Sequence, residues 1–202
     1  MTNKLNVFDL GTGNVTSLCS ALKKININFK RVEKVSDIDS NKIILPGVGA
    51  YGDLMKRVKS KKLDIFIKNR IESNLKILGI CVGYQILFSS SSENGQNKGL
   101  DILKGKFKIL KTKLPKPHVG WNNCKILKKS NIFFEIPDNS DFYFTHSYIL
   151  TEHEKNITIG KTKYGQDFPV AIQKKNIYGV QFHPEKSQIS GLKLLRNFYE
   201  NC

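Results

Sequence analysis

Apolar positions in the first half of the chain follow two alternating rhythms. Continuous apolar runs at Lys4–Leu10, Phe29–Val32, Lys42–Leu45 and Leu75–Ile80 predict short buried strands. Between them apolar residues recur at helical spacing. Val15, Leu18, Cys19 and Leu22 stand at i, i+3, i+4 and i+7, a helix is expected near Asp53–Val58, and Leu63, Phe66, Ile67 and Ile71 share the face of another. A further helix is expected from the Cys81 turn through Phe88. Strand and helix in alternation predict an α/β fold with a doubly wound, mostly parallel sheet flanked by helices.

The second half changes rhythm. Phe107–Leu110, Lys125–Leu127, Asp141–Tyr148, Ile157–Thr162, Val170–Gln173 and Ile177–Phe182 are strand-like and closely spaced, which predicts antiparallel additions to the sheet. Ser89–Lys98 is polar and turn-rich and reads as a surface loop. The last helix carries Ile189, Leu192, Leu195 and Phe198 on one face. No repeat and no long linker divides the 202 residues, so a single domain over 1–202 is expected.

Composition narrows the class. With 40% hydrophobic and 25% charged residues, the chain is an ordinary globular one. No segment nears the ~18 apolar residues of a membrane span. Met1–Lys4 leads straight into a strand-like run without a signal-peptide core, so a cytoplasmic location is expected. The four cysteines, Cys19, Cys81, Cys124 and Cys202, form no C-x-x-C and are expected as free thiols. Cys19 reads as a core residue and Cys202 as a mobile end. The net charge of +16 comes mainly from scattered lysines. Lys104, Lys106 and Lys108 alternate like the solvated side of a strand. No nucleic-acid motif accompanies them, so a Lys-biased surface is the reading, with a phosphorylated metabolite or an acidic protein as further partners for such a patch.

One turn carries more information than the rest. Residues 79–85 read Gly-Ile-Cys-Val-Gly-Tyr-Gln directly after an apolar run. Small residues on either side of Cys81 permit a sharp strand-to-helix turn, the thiol counterpart of a nucleophile elbow. A thiol at a helix start meets unsatisfied N–H groups, which favour its reactive thiolate. Late in the chain stands Gln181-Phe182-His183-Pro184-Glu185. His183 has the chemistry of a base for Cys81, and Glu185 that of a carboxylate orienting the imidazole. Ligands in open α/β sheets bind beyond the carboxyl ends of strands. Gly11–Asn14, Pro46–Gly49, the Cys81 turn and His183–Glu185 all follow predicted strands. Oxyanion donors are expected from the backbone of Val82 and of Pro46–Gly49. His118 and His146 read as packing histidines and His153 as solvated. No metal site is indicated, and no cofactor.

Five segments together resemble the class I (triad) glutamine amidotransferases: Pro46–Ala50, Gly79–Gln85, Pro117–Asn122, Tyr143–Tyr148 and Gly179–Ser187. The Pro-His-Val-Gly-Trp-Asn and Phe-His-Pro-Glu-Lys-Ser segments resemble, more narrowly, the glutaminase subunits of imidazole glycerol phosphate synthases. The resemblance implies a flavodoxin-like sheet and hydrolysis of glutamine by Cys81, His183 and Glu185 through a glutamyl thioester. It implies Val48 and Gly49 as the oxyanion strand, which reorients before donating, and Gln85 as a glutamine-binding residue. It also implies a heterodimer with a (β/α)8-barrel synthase subunit that receives the ammonia, with Asn14, Trp121, Tyr143 and Lys186 facing that partner. Leu10, Val82 and Tyr84 stand where other residues are commoner, and none belongs to the triad. A paralogue supplying ammonia to a surface-sugar precursor stays open, as do a cysteine peptidase or γ-glutamyl hydrolase and a non-enzymatic basic nucleic-acid-binding protein.

Overall fold

A computed structural model describes residues 4–202. The expected passage of Met1–Asn3 into the first strand lies outside the described residues. The chain runs β1 (Leu5–Phe8), α1 (Val15–Lys24), β2 (Phe29–Val32), β3 (Lys42–Gly47), α2 (Tyr51–Ser60), α3 (Leu63–Arg70), β4 (Lys76–Cys81) and α4 (Val82–Gln85). It continues through β5 (Phe88–Ser91), β6 (Asn97–Lys98), β7 (Leu103–Ile109), β8 (His118–Ile126), β9 (Ser140–His146) and β10 (Tyr148–His153). β11 (Thr158–Tyr164), β12 (Gln166–Lys174), β13 (Ile177–Val180) and α5 (Gln188–Asn201) complete it. No helix among the described residues is long and apolar enough to cross a membrane.

The large sheet has the order β2-β1-β3-β4-β13-β12-β11-β8-β9. β2, β1, β3, β4 and β13 run parallel, and β12, β11, β8 and β9 extend the sheet antiparallel. Every residue of β1, β3 and β13 is buried, as strands covered on both faces require. α1 packs on α5, and α2 packs on α3 and α4. This is the expected α/β architecture.

Five local expectations change. The helix after Cys81 is only four residues long, because Phe88–Ser91 leaves it as a strand. The Ser89–Lys98 segment is therefore part hairpin, with Ser90 opposite Lys98 and Ser91 opposite Asn97. The second-half strands do not all join one sheet. β10, β7, β5 and β6 form a separate four-stranded sheet. The run read as one strand over Asp141–Tyr148 breaks at Ser147, where the chain crosses from the large sheet to the small one. Finally, Ile189 is 85% exposed, whereas Leu194, Leu195 and Phe198 carry the buried face of α5. The alternating lysines of β7 do point to solvent, while Leu103, Gly105 and Phe107 are buried.

All four cysteines are free, and Cys202, expected to be mobile, packs against the core beside Tyr178. His153, expected to be solvated, is half-buried and bonds Thr158 Oγ1 at 2.9 Å.

Candidate active site

β4 delivers Cys81 to the site in a strained conformation, with φ 54° and ψ −114°. Such a backbone costs about 1–3 kcal/mol at a non-glycine residue and persists only where surrounding packing over-determines it. The packing here is tight. A Cβ on Gly83 would lie 1.9 Å from the Leu45 carbonyl oxygen, and one on Gly79 2.7 Å from the backbone of Tyr84. Both glycines of the elbow are thus required by the close approach of α4 to β3 and β4. Tyr84 then locks the turn by edge-on contacts with Phe88 and Phe107, at 5.4 and 5.3 Å between centroids. A buried ring of this size stabilises by about 1.5–3 kcal/mol, enough to hold the strain.

β13 runs beside β4 in parallel register, Gly179 opposite Gly79. This pairing brings Phe182-His183-Pro184-Glu185 to the same sheet end as Cys81. Phe182 is buried and stacks on Phe142 at 4.0 Å, which fixes the exit of the strand. The His183 N–H donates to the Tyr143 carbonyl at 2.9 Å. His183 Nδ1 donates to Glu185 Oε1 at 2.8 Å, and both side chains are 1% exposed. Nε2 on the opposite edge of the ring is buried and closes no hydrogen bond of good geometry. The ring shares a cavity with Cys81, close enough for the two side chains to act on each other. Burial by itself pushes the imidazole toward its neutral form. The charge and hydrogen bonding of the Cys81 sulfur, followed by those of Glu185, more than offset this and raise its pKa to about 10. Cys81, His183 and Glu185, expected to act together, are thus brought to one end of the sheet, with Glu185 on the Nδ1 side of the ring.

The cavity of about 280 Å³ is lined by Val48, Gly49, Cys81, Val82, Gln85, Glu93, Thr145, His146, Ser147, Tyr148 and His183 among others. Val48 and Gly49 follow the last residue of β3. Gly49 has φ +93°, with nothing within 4 Å of where a Cβ would stand. That open space and glycine's tolerance of such angles leave this segment free to rotate its amides. Val82 begins α4, and Gln85 is buried one turn later.

Three side chains take parts at the site that the sequence does not assign to them. Gln181 accepts from Gln85 Nε2 at 3.0 Å and donates its own Nε2 toward Cys81 Sγ at 3.7 Å. Glu93 is the one carboxylate among the cavity-lining residues, and it accepts the Tyr51 N–H at 2.7 Å. Its loop reads as plain surface, so nothing local marks it. The Asn14 amide, read only as partner-facing, donates to Glu185 Oε1, the oxygen that holds the imidazole. Its other short approach, 3.2 Å to His183 Nδ1, is not a second donation, because that nitrogen carries the proton given to Glu185.

Trp121, Tyr143 and Lys186 come together at the surface. β8 and β9 pair Trp121 with Tyr143, whose rings meet at 6.1 Å, and Lys186 Nζ lies 5.6 Å from the Tyr143 ring. Trp121 is 47% exposed. Among the described residues, no group of three or more His, Cys, Asp or Glu side chains is gathered as a metal cage.

A strained thiol on an elbow beside an imidazole–carboxylate pair, on a doubly wound sheet, defines an amide-cleaving enzyme of the class-I amidotransferase type. The family model described as glutamine amidotransferase class-I matches residues 6–202, and the chain belongs to that family of glutamine-hydrolysing enzymes. Its relatives include the imidazole glycerol phosphate synthase subunit HisH of Moorella thermoacetica, 42% identical over 96% of this chain and 93% of that protein. The subunit of the same name from Aquifex aeolicus is 40% identical over 95% and 94%. Among solved structures, a glutamine amidotransferase superposes with a TM-score of 0.77 at 18% identity, covering 97% of each chain. PurLQS from Thermotoga maritima superposes at 0.76 and 19%, covering 98% of each. These two establish the shared fold.

Proposed function

We propose that the chain is the glutaminase subunit of an imidazole glycerol phosphate synthase, working as one domain in histidine biosynthesis. The observation that carries this reading is Cys81 and His183 buried on one cavity with the buried Glu185 carboxylate on the imidazole, in a chain about 40% identical to HisH subunits over nearly its whole length.

In this reading the Cys81 thiol gives its proton to His183 Nε2, and the sulfur attacks the side-chain amide carbon of glutamine. The C–O double bond opens to an oxyanion, which the Val82 N–H and a reoriented amide of the Val48–Gly49 segment receive. The His183 imidazolium gives its Nε2 proton to the nitrogen, the C–N bond breaks and ammonia leaves. His183 then takes a proton from water, whose oxygen attacks the thioester carbon; the C–S bond breaks, His183 returns the proton to the sulfur, and glutamate leaves. Glu185 holds the ring and its charge, and Asn14 holds Glu185. Gln85 contacts the substrate, and the Glu93 carboxylate suits its α-ammonium group.

Ammonia passes to a HisF-type (β/α)8-barrel synthase subunit. The Trp121–Tyr143–Lys186 cluster, an aromatic pair beside a cation, has the composition of an interface anchor. Supplying the chain, that barrel subunit and amide-15N glutamine tests the proposal. Label is expected in the imidazole ring of imidazole glycerol phosphate. Label in an aminated sugar precursor instead would assign the chain to the surface-sugar paralogue, and no glutamate release would refute the glutaminase reading.

A further inference from the structure

Ser147 is where the chain leaves the large sheet and enters the small one, and its carbonyl accepts the Leu110 N–H at 2.8 Å. Yet Thr145, His146, Ser147 and Tyr148 form one wall of the active-site cavity, and the Thr145 carbonyl faces the Cys81 sulfur at 3.9 Å. Beyond that main-chain bond the bend needs further support, because a backbone carbonyl left unpaired in a buried wall is unfavourable.

A chain of side-chain hydrogen bonds supplies it. His146 Nδ1 lies 3.0 Å from the Tyr148 carbonyl, His146 Nε2 lies 3.0 Å from His118 Nδ1, and His118 Nε2 lies 3.3 Å from Asn122 Nδ2. The protons on this chain are determined from both ends. The Tyr148 carbonyl only accepts, so His146 carries its proton on Nδ1 and its Nε2 accepts. His118 Nδ1 must then donate, which leaves His118 Nε2 as an acceptor. Asn122 supplies that last donor, and its amide orientation is fixed because Nδ2 also donates to the Lys163 carbonyl at 3.0 Å. A further proton on either ring would set two N–H groups against each other. Burial holds both rings neutral as well, pushing His118 down to about 4 and His146 to about 3. Packing fixes the second ring: His118 stacks between Phe144 at 4.8 Å and Tyr164 at 4.1 Å. The register of β8 and β9 places the two histidines directly opposite.

We infer that His118 and His146 are positioning residues: a neutral imidazole pair that closes the bend between the two sheets and so sets the wall of the glutamine-binding cavity. Neither acts as acid or base on the substrate. The inference rests on the glutaminase reading for its kinetic consequence and on geometry alone for its protonation pattern.

Two measurements on the full chain test it. In 15N-histidine NMR at pH 7, both rings are expected as neutral Nδ1–H tautomers; an imidazolium or an Nε2–H tautomer at either would overturn the inference, whatever the enzyme does. The second uses His118→Phe, which keeps the stacking and removes the donor, and His118→Gln, which restores a donor, each assayed with the barrel subunit. His118→Phe is expected to raise the KM for glutamine about tenfold, the scale of one lost hydrogen bond. Its kcat and the alkylation rate of Cys81 should stay within a few-fold of the starting protein, and His118→Gln should recover part of the KM. An unchanged KM in folded His118→Phe, or an equal loss of kcat and of Cys81 alkylation, would overturn it. If His118→Phe does not fold, an unchanged KM in His118→Gln together with a wrong tautomer does so. Absence of glutamate release by the unsubstituted protein would instead count against the glutaminase reading and leave the NMR result to decide the pair.

Discussion

The carbonyl oxygen of Tyr143 accepts the backbone N–H of His183 at 2.9 Å, while the ring of the same tyrosine lies at the surface between Trp121 and Lys186. One residue thus has its main chain on the proposed catalytic base and its side chain in the proposed partner-facing cluster. The Tyr143 N–H donates in turn to Ser187 Oγ at 2.9 Å, and that hydroxyl donates to the His183 carbonyl at 2.6 Å. The strand and the His-Pro-Glu turn are closed into one unit by three hydrogen bonds. A partner that shifts the Tyr143 ring acts on a segment rigidly joined to His183.

Trp121→Ala and Lys186→Ala should therefore weaken stimulation of glutamine hydrolysis by the barrel subunit more than they weaken folding. Truncating an aromatic interface anchor costs about 2 kcal/mol, or about thirtyfold in affinity, and the lysine about tenfold or less. Titrating the barrel subunit against glutamate release, with urea melts of the free chain as control, measures both. Unchanged half-saturation with either variant would remove that residue from the interface.

Cys81→Ala and Cys81→Ser should reduce glutamate release by at least about a thousandfold, the scale of losing a nucleophile, with the fold intact. The backbone adds a second expectation. Glycine tolerates φ 54°, ψ −114° with less strain than alanine, and the release, about 1–3 kcal/mol, exceeds the loss of about 0.4–1 kcal/mol expected from glycine's greater entropy in the unfolded chain. Cys81→Gly should thus unfold at a higher urea concentration than Cys81→Ala. The reverse order would mean that the turn is not strained.

Asn14→Ala removes a donor from the carboxylate oxygen that orients His183. Hydrogen bonds to charged groups are worth about 1.5–3 kcal/mol, so kcat should fall by about ten- to a hundredfold with the KM for glutamine little changed. Asn14→Ser, with a shorter donor, should fall between. A rise in KM alone would place Asn14 in substrate binding instead.

What the sequence makes legible follows from how local each signal is. Gly79-x-Cys81-x-Gly83 and His183-Pro184-Glu185 are short patterns, and each glycine is demanded by a clash at its own position. Parallel strands such as β3 and β4 announce themselves because both faces are buried. The split into two sheets is not legible, since the alternation in β7 states which face is wet but not which strand lies beside it. Ile189 fits the helical spacing of α5 and still points to solvent, because spacing cannot show where the covering layer ends. Glu93, Gln181 and the His118–His146 pair depend on contacts between residues far apart in the chain, such as the 2.7 Å bond from Tyr51 to Glu93. No window along the sequence contains both partners.

Tyr84 is fully buried and its hydroxyl has no hydrogen-bond partner among the described residues, with burial driving its pKa far above the ordinary tyrosine value. Its ring is indispensable to the elbow and its hydroxyl is not. Tyr84→Phe should raise stability by about 1 kcal/mol, the lower end of the penalty for an unpaired buried polar group. The urea midpoint should rise at constant m-value, and glutaminase activity should be retained. A fall in stability would show that the hydroxyl is satisfied in solution.

The acid side of the stability curve offers a test of the buried histidine pair. Both rings have folded-state pKa values below the ordinary 6.5, about 4 for His118 and about 3 for His146, with burial the main cause. The unfolded chain therefore binds protons at these positions at higher pH than the folded one does. Where the unfolded state holds more protons, stability rises with pH. Their contribution is complete above about pH 6.5 and is lost as the pH falls from there toward 4. His183 works in the opposite sense, since its folded value is raised to about 10 and its contribution is lost only as the pH climbs from about 6.5 toward that value. Urea midpoints between pH 7 and 4.5 should thus fall more steeply for the unsubstituted protein than for His118→Phe, which has one fewer imidazole to charge on unfolding. Parallel slopes would mean that His118 titrates normally in the folded chain, and the neutral pair would then have to be abandoned.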